Sequence, residues 1–511
     1  SVITMVAETG VDTSGPVEYY FAEISGNPGG SDSGWQTSPS YTDTNLNAST
    51  QYTYTVQMRD RFHNTGAASV PESAMTPAGG IGSIPVWNHR VDPNTHPGAQ
   101  ARLIPPVTWE DQDGLVLLPG FRFINIEESE GNYSVNMPAY RGYLDYWEAF
   151  GFESHLAPHA SFAYCTNYDE VIDEWLSRGS HIFAAVGPGG WGFDGFFSVL
   201  NGFPEGIPDE VHNYALSQLG GRFHGWEYGE NDGGYCYMIM PEAPVTRKRG
   251  FEYFMGFNRR WAEHLQYYMV AMCNTVWVPY MASTSYFRQI GVQTPNQMHN
   301  IQVWAAMLRG ASKHYGVLWW PNIDTCWNAM GGSKNYDIPG GEDWGNSEEL
   351  IRRASYLYFM YGACAIQPAG PLHMSGESGD VISPLGEIAI EVRDFMREHP
   401  YPELGVMYTP VALVWDFYTG WLTPRGGWAP YMVWGKMPYA KGDHQIDMLF
   451  RSLFPHYEDA AFFPDERGYL TETPCGDIFD VQFSNVPRYV LNQYDAAVVI
   501  GPTKIRGQLQ S

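Results

Sequence analysis

The 511-residue sequence predicts a β-sandwich module, then a (β/α)8 (TIM) barrel, then a Rossmann-like α/β domain. Three observations predict this order. Residues 1–77 consist of short alternating segments broken by Gly, Pro, Asn, Asp and Ser. From residue 118 to 403, short apolar strands alternate eight times with helical stretches. Residues 404–511 bring a further apolar strand in "GVMYTPVALVWDFYTGW" and a loop-rich aromatic stretch. They end in "QYDAAVVIGPTKIRGQLQ", which reads as a buried parallel strand, a turn and the start of a helix.

In the first module, "STQYTYTVQMRD" places Tyr52, Tyr54, Val56 and Met58 on one face of a strand. The stretch resembles a fibronectin type III module, with Tyr52 in the place of a tyrosine corner. That resemblance implies a spacer or docking unit and not a catalyst. "TPAGGIGSIP" (76–85) reads as a linker, and residues 78–117 lead into the barrel.

The barrel units follow in order. "FRFINIEE" (121–128) is the first strand, followed by the helix "AYRGYLDYWEAFG". "FESHLAPH" (152–159) is the second, and its helix "NYDEVIDEWLSRG" stops at Gly179. "HIFAAVGP" (181–188) is the third, with "DEVHNYALSQLGG" as its helix. "RFHGWEYGE" (222–230) is the fourth, and the long helix "RKRGFEYFMGFNRRWAEHLQYYMVAM" follows it. "TVWVPYM" (275–281) and "IGVQTP" (290–295) are the fifth and sixth, and "NIQVWAAMLRGASKHYG" is the next helix. "VLWWPNID" (317–324) and "CAIQPAG" (364–370) are the seventh and eighth, followed by "EELIRRASYLYFMYG" and "SPLGEIAIEVRDFMREHP".

Composition narrows the function. The net charge is −27, from 56 acidic and 29 basic residues, which argues against nucleic acid and anionic membranes as partners. Local basic groups such as Arg247, Lys248 and Arg249 in "TRKRG" still allow an anionic substrate. No apolar run reaches the length of a membrane span. The six cysteines form no CxxC pair, so a zinc or iron–sulfur site of the usual spacing is not expected, and they are too sparse for a disulfide scaffold. No signal peptide is present, and the chain begins mid-pattern, as a processed secreted protein does. The expected location is secreted or cell-surface, outside a bacterium. The charge suits salty water, where screening softens self-repulsion.

The most informative stretch is "GRFHGWEYGENDGGY" (221–235). Strand ends at the C-terminal face of a barrel carry its chemistry. Glu227, Glu230 and Asp232 fall there beside the flat faces of Trp226, Tyr228 and Tyr235. Carboxyl groups among aromatics suit glycoside hydrolysis, in which one acid protonates a leaving oxygen and a second carboxylate attacks the sugar or activates water. An apolar neighbour keeps the acid protonated near neutrality. The order of barrel, "SPLGEI…EHP…GVMYTPVALVWDFYTGW" and Rossmann-like strand resembles secreted bacterial clan A glycoside hydrolases. It also resembles the β-galactosidases whose barrel is followed by a glutamine-amidotransferase-like domain. The resemblance implies a general acid/base at the end of the fourth strand, where Glu230 stands, preceded by Gly229 where the clan has Asn. It implies a partner at the end of the seventh, where Asp324 replaces the clan's Glu.

Alternatives exist for each residue. Glu230 suits a loop cap or a calcium-like ligand. Asp324 suits an N-cap or an anchor under Trp327. Glu227 suits a buried partner that tunes Glu230 through like charge. Glu127 and Glu128 end the first strand, and Glu377 and Asp380 follow the eighth; Glu128 and Glu377 compete for the second catalytic role. His155, His159, His224 and His373 fall near strand ends and suit sugar hydroxyls or sulfates, a metal pair at His155 and His159, or plain rim positions. Trp191 and Phe193 sit in "GPGGWGFDGF" (187–196), which lacks the Lys and Ser/Thr of a phosphate loop. Trp319, Trp320, Trp327 and Trp344 suit a sugar platform or core packing.

The expectation is therefore an extracellular glycoside hydrolase without metal or other cofactor. Glu230 is the acid and Asp324 the nucleophile or base. The substrate is a polysaccharide, and the acidic composition points by association to an algal sulfated galactan or fucan. Homo-oligomerisation through the C-terminal domain is implied by the galactosidases it resembles. The rival readings are a non-catalytic carbohydrate-binding or surface-structural protein with a degenerate barrel, and a metal-dependent hydrolase using the histidines with Asp194 or Asp324.

Overall fold

The structure is a computed structural model that describes residues 3–12, 15–44, 46–47, 50–76, 126–129, 132–152, 155–185, 206–229, 231–234, 244–273, 275–284, 286–294, 300–324, 336, 339–369, 373–374, 381–399, 407–423, 431–455, 468–474 and 477–501. The chain divides into two units, Ser1–Ser83 and Ile84–Ser511.

In the first unit, alternation makes the strands. They are β1 (Ile3–Val6), β2 (Glu18–Glu23), β3 (Trp35–Gln36), β4 (Ser40–Asp43), β5 (Gln51–Arg59) and β6 (Glu72–Met75). β1 pairs with β4, and the other four run β3-β2-β5-β6, all antiparallel. Tyr52 and Tyr54 point from β5 into a core with Leu46, packed by Ile3 and Met5 of the other sheet. The Tyr52 hydroxyl accepts from the Asn47 amide at 2.9 Å and donates to the Pro28 carbonyl at 2.6 Å. The hydroxyl thus ties β5 to the turn before it and to the loop between β2 and β3. Val56 and Met58 are only half-buried.

The second unit opens with an antiparallel hairpin, β7 (Ile126–Ser129) and β8 (Asn132–Val135), and the helix α1 (Met137–Ala149). Then come β9 (His155–Leu156), α2 (Tyr168–Arg178), β10 (His181–Ala185), α3 (Asp209–Leu219), β11 (Phe223–Glu227), α4 (Asn231–Gly234) and α5 (Arg247–His264). They are followed by β12 (Met269–Cys273), α6 (Val278–Ala282), β13 (Phe287–Thr294), α7 (Ile301–Tyr315), β14 (Leu318–Asp324), α8 (Glu348–Tyr361) and β15 (Gln367–Ala369).

Strands β9 to β15 form one seven-stranded sheet in chain order, with every pair parallel. The sheet curls. Phe183 of β10 meets Trp320 of β14 edge-on with ring centroids 5.9 Å apart, although these strands are four places apart. In a flat sheet that separation is roughly 19 Å. Only a sheet wrapped round its own interior brings the rings together, so the domain is barrel-like. Among the described residues, no parallel strand precedes β9. The expected first strand lies outside them at 121–125, and its described end belongs to the β7–β8 hairpin.

Two other expectations are corrected. The long helix after the fourth strand stops at His264, and Gln266 and Tyr267 turn out of it with positive φ of 58° and 53°. The fifth strand is therefore Met269–Cys273, inside the expected helix. "TVWVPYM" is rich in β-formers, yet it contains α6, because Val278 and Pro279 occupy the first helical turn, where proline's missing amide costs nothing. The fourth strand stops at Glu227. Gly229 turns left-handed at φ 67°, and the Asn231 side chain donates to the Tyr228 carbonyl.

After a short hairpin, β16 (His373–Met374) with β17 (Val381–Ile382), and α9 (Pro384–Glu398), the chain builds a second sheet. Its elements are β18 (Val411–Trp415), the hairpin β19 (Met432–Val433) and β20 (Met437–Pro438), α10 (Lys441–Leu453), β21 (Phe479–Phe483), α11 (Arg488–Leu491) and β22 (Ala496–Val499). The parallel order is β21-β18-β22. β22 was expected to be buried; it is an edge with all four residues exposed.

This sheet packs on the barrel through α7, whose residues from Ile301 to Lys313 are all buried. Arg309 and Lys313 donate to Asp480 of β21 at 2.8 and 2.5 Å. Gly310 is required there: a Cβ would lie 1.7 Å from the Val481 carbonyl oxygen.

Candidate functional site

Alternation along the barrel strands sends every second side chain inward. Paired residues of neighbouring parallel strands share a face, so the register identifies the interior set. Glu227 pairs with Val270 and Val270 with Gln289; Gln293 pairs with Asn322 and Asn322 with Gln367; Asp324 pairs with Ala369. The interior is polar where these strands end. Glu227, Gln293, Asn322, Asp324 and Gln367 are all buried there.

Glu227 ends β11. Its Oε2 accepts from Gln367 Nε2 at 3.4 Å, while Oε1 has no hydrogen-bond partner. Burial pushes its carboxyl up to about 7, and the Gln367 bond pulls the other way. The Gln367 amide is held from its far side, where Asn322 Nδ2 donates to Gln367 Oε1 at 2.7 Å. Asp324 ends β14. Its Oδ2 accepts from Gln293 Nε2 at 3.0 Å, and its carbonyl accepts from Asn346 Nδ2 at 3.0 Å. Two carboxyl groups therefore stand at the C-terminal ends of strands three apart in the sheet, Glu227 bonded to Gln367 and Asp324 to Gln293.

Deeper in the barrel lies a second polar row. His181 Nδ1 and His224 Nε2 are 3.0 Å apart, and Gln289 Nε2 meets His224 Nδ1 at 2.8 Å. Phe183 stacks on the His224 ring with centroids 4.4 Å apart. Burial lowers His224 well below its ordinary value, with the neighbouring His181 and Arg288 charges acting in the same direction.

The remaining expected site residues fall in several places. Glu230, Trp191, Tyr235, Trp327 and Glu377 lie outside the described residues, as do Phe193, Asp194 and Asp380. Because β11 ends three residues early, Glu227 takes the strand-end position that the sequence reading gave to Glu230. Glu128 lies opposite Tyr133 in the β7–β8 hairpin, not on a parallel strand. His155 is in β9 and His373 in the β16–β17 hairpin.

His159 is not on a strand. It caps a short 3₁₀ turn, accepting from the Ser161 amide at 3.2 Å, and burial lowers it to about 4. Among the described residues, no group of three or more His, Cys, Asp or Glu is placed to hold a metal ion. Cys165, Cys273 and Cys364 are free and buried.

Three aromatic candidates are core residues. Trp226 faces outward under α3, stacked near Phe162, and donates from Nε1 to His212 Nδ1 at 3.1 Å. Tyr228 packs edge-on against Trp261 and Phe287. Trp320 fills the barrel interior against Gly291, where a Cβ would come within 2.9 Å of its ring. None offers an open face to a sugar. Asp232 is buried and accepts from Thr275 Oγ1 at 2.6 Å, tying the segments after β11 and β12 together.

The sequence reading missed Gln289, Gln293, Asn322 and Asn346. A signal was present. Polar residues recur on one face of apolar strands, Gln289 and Gln293 four apart in "QIGVQ" and Asn322 and Asp324 two apart in "WPNID".

No protein-family model matches the chain, and no curated protein does. Among solved structures, the chain is similar to a cold-adapted β-galactosidase from Rahnella sp. R3 at 10% identity and a TM-score of 0.40, over 76% of this chain and 63% of that one. It is also similar to Gan42B, a GH42 β-galactosidase, at 9% identity and a TM-score of 0.40, over 71% of this chain and 65% of that one. The chain thus spans less than two thirds of the length of either. No helix among the described residues is long and apolar enough to cross a membrane.

Proposed function

We propose that the chain is a glycoside hydrolase of the retaining or inverting two-carboxylate kind. Glu227 is its general acid and Asp324 its second carboxyl group. The observation that carries this reading is the Glu227 carboxyl, held protonated near neutrality by burial at a strand's C-terminal end, on the same interior surface as Asp324. Glycoside cleavage needs a carboxyl that still holds a proton at the pH of the reaction. Glu227 donates to the departing oxygen. Asp324 attacks the sugar carbon or takes a proton from water, and Gln293 fixes its orientation. A positioned acid contributes roughly 10²–10⁴-fold to rate.

The substrate we favour is a polysaccharide, with the N-terminal unit as a fibronectin-like spacer. The acidic charge fits a secreted enzyme acting in salty water on an algal sulfated polymer. A second reading is a non-catalytic protein with a degenerate barrel, for Glu227 and Asp324 are both fully buried.

The test is reducing-end release from a panel of plant and algal polysaccharides by the wild type, Glu227→Gln, Asp324→Asn and Glu230→Gln. Loss of cleavage by orders of magnitude in Glu227→Gln, with polymer binding retained, supports the assignment. Cleavage lost only in Glu230→Gln returns the acid role to the residue expected from the sequence. Binding without cleavage by the wild type favours the binding-protein reading.

A further inference from the structure

Gln367 has no role in the two-carboxylate chemistry, yet among the described residues it is the polar side chain that hydrogen-bonds Glu227 across the barrel. An amide can present either end. Here Asn322 Nδ2 donates to Gln367 Oε1 at 2.7 Å, and Gln367 Nε2 faces Glu227 Oε2 at 3.4 Å. A carboxyl oxygen that accepts a hydrogen bond is the less favourable one to protonate. The other oxygen, Oε1, has no partner.

We propose that Gln367 is a positioning residue for Glu227: oriented by Asn322, its amide holds Oε2 as an acceptor and so assigns the transferable proton to Oε1. The inference rests on the glycoside hydrolase reading for its purpose. Its geometry stands on the three side chains alone. Three strands of the barrel contribute one group each, and the order Asn322, Gln367, Glu227 is a relay of donors in one direction. Gln367 would act as a brake as well as a guide. Its bond favours the ionised carboxyl and opposes burial, keeping the acid able to release its proton.

The experiment is an infrared titration of the protonated-carboxyl band in the full chain, with Glu227→Gln identifying which band belongs to Glu227. Gln367→Leu should move the midpoint of that band upward by about half a pH unit or more, because a donor to the charged form is lost. Asn322→Leu should move it in the same direction, since it frees the amide to rotate, and it serves if the first variant does not fold. Gln289→Leu removes an amide from the same interior without touching Glu227 and should leave the band in place. Where the polymer is cut, the alkaline limb of the rate profile should move with the band. An unmoved midpoint in folded Gln367→Leu or Asn322→Leu overturns the inference, as does an equal shift in Gln289→Leu. The catalytic reading fails separately, if Glu227→Gln cleaves as well as the wild type whatever the band does.

Discussion

Glu227 and Gln367 sit on strands four places apart in one parallel sheet, and their side chains meet at 3.4 Å. With neighbouring strands about 4.8 Å apart, a flat sheet would hold them roughly 19 Å from each other. The contact therefore records the closing curvature of the barrel in two side chains. It also places an amide donor on an acid that burial pushes toward the protonated form.

That acid makes stability depend on pH in a definite direction. The Glu227 carboxyl is raised from 4.5 to about 7 in the fold, so the unfolded chain releases its proton first. Between these values the folded state binds more protons, and stability falls as pH rises. The full cost above pH 7 is about 3 kcal/mol as an upper figure. Glu227→Gln should therefore raise the urea midpoint at pH 8 and change it little at pH 4.5. An equal effect at both values would remove the argument from burial.

The histidine row predicts the opposite slope. His224 is neutral in the fold because burial lowers it, with His181 and Arg288 adding to the effect. The unfolded chain takes up protons first as pH falls below the ordinary histidine value of 6.5, so this stability is lost toward acid. Comparing urea unfolding at pH 7.5 and 5, His224→Gln should reduce the acid-induced loss. Two equally steep wild-type and variant curves would show that other groups control it.

At the joint between barrel and second sheet, Asp480 is buried under Arg309 and Lys313. Burial raises its carboxyl, but the two cations more than offset this and hold it low. Asp480→Ala leaves two buried cations without that partner, which costs about 3–5 kcal/mol. Proteolysis should then release residues beyond the barrel. Unchanged protease resistance and thermal midpoint would mean that α7 and β21 are held by packing alone.

In the first unit, Tyr52→Phe deletes the hydrogen bonds to the preceding turn and to the β2–β3 loop while leaving the ring in its core. The expected cost is about 1–3 kcal/mol, since the Asn47 amide and Pro28 carbonyl lose their partner. Calorimetry of the full chain should show a lowered transition for this unit only. A shift in the barrel's transition, with this unit unmoved, would contradict the assignment of the tether.

What the sequence by itself determined was the local structure whose signals are local. Alternation and caps located β5, α2 with its Gly179 stop, α7, α8 and most barrel strands, because those patterns follow from each element's own period. The place where β11 ends was decided by Gly229 and Asn231 turning the chain, and that moved the strand-end acid from Glu230 to Glu227. The strand at Met269–Cys273 was hidden because its apolar run continues the helix before it without a break in composition. The partners of Glu227 were beyond local reading altogether: Gln367 lies 140 residues away in sequence and meets it only because the sheet curls. Trp226 and Trp320 look alike in the sequence as sugar platforms. Tertiary packing put one outside the barrel wall and the other within it, and left neither with an open face.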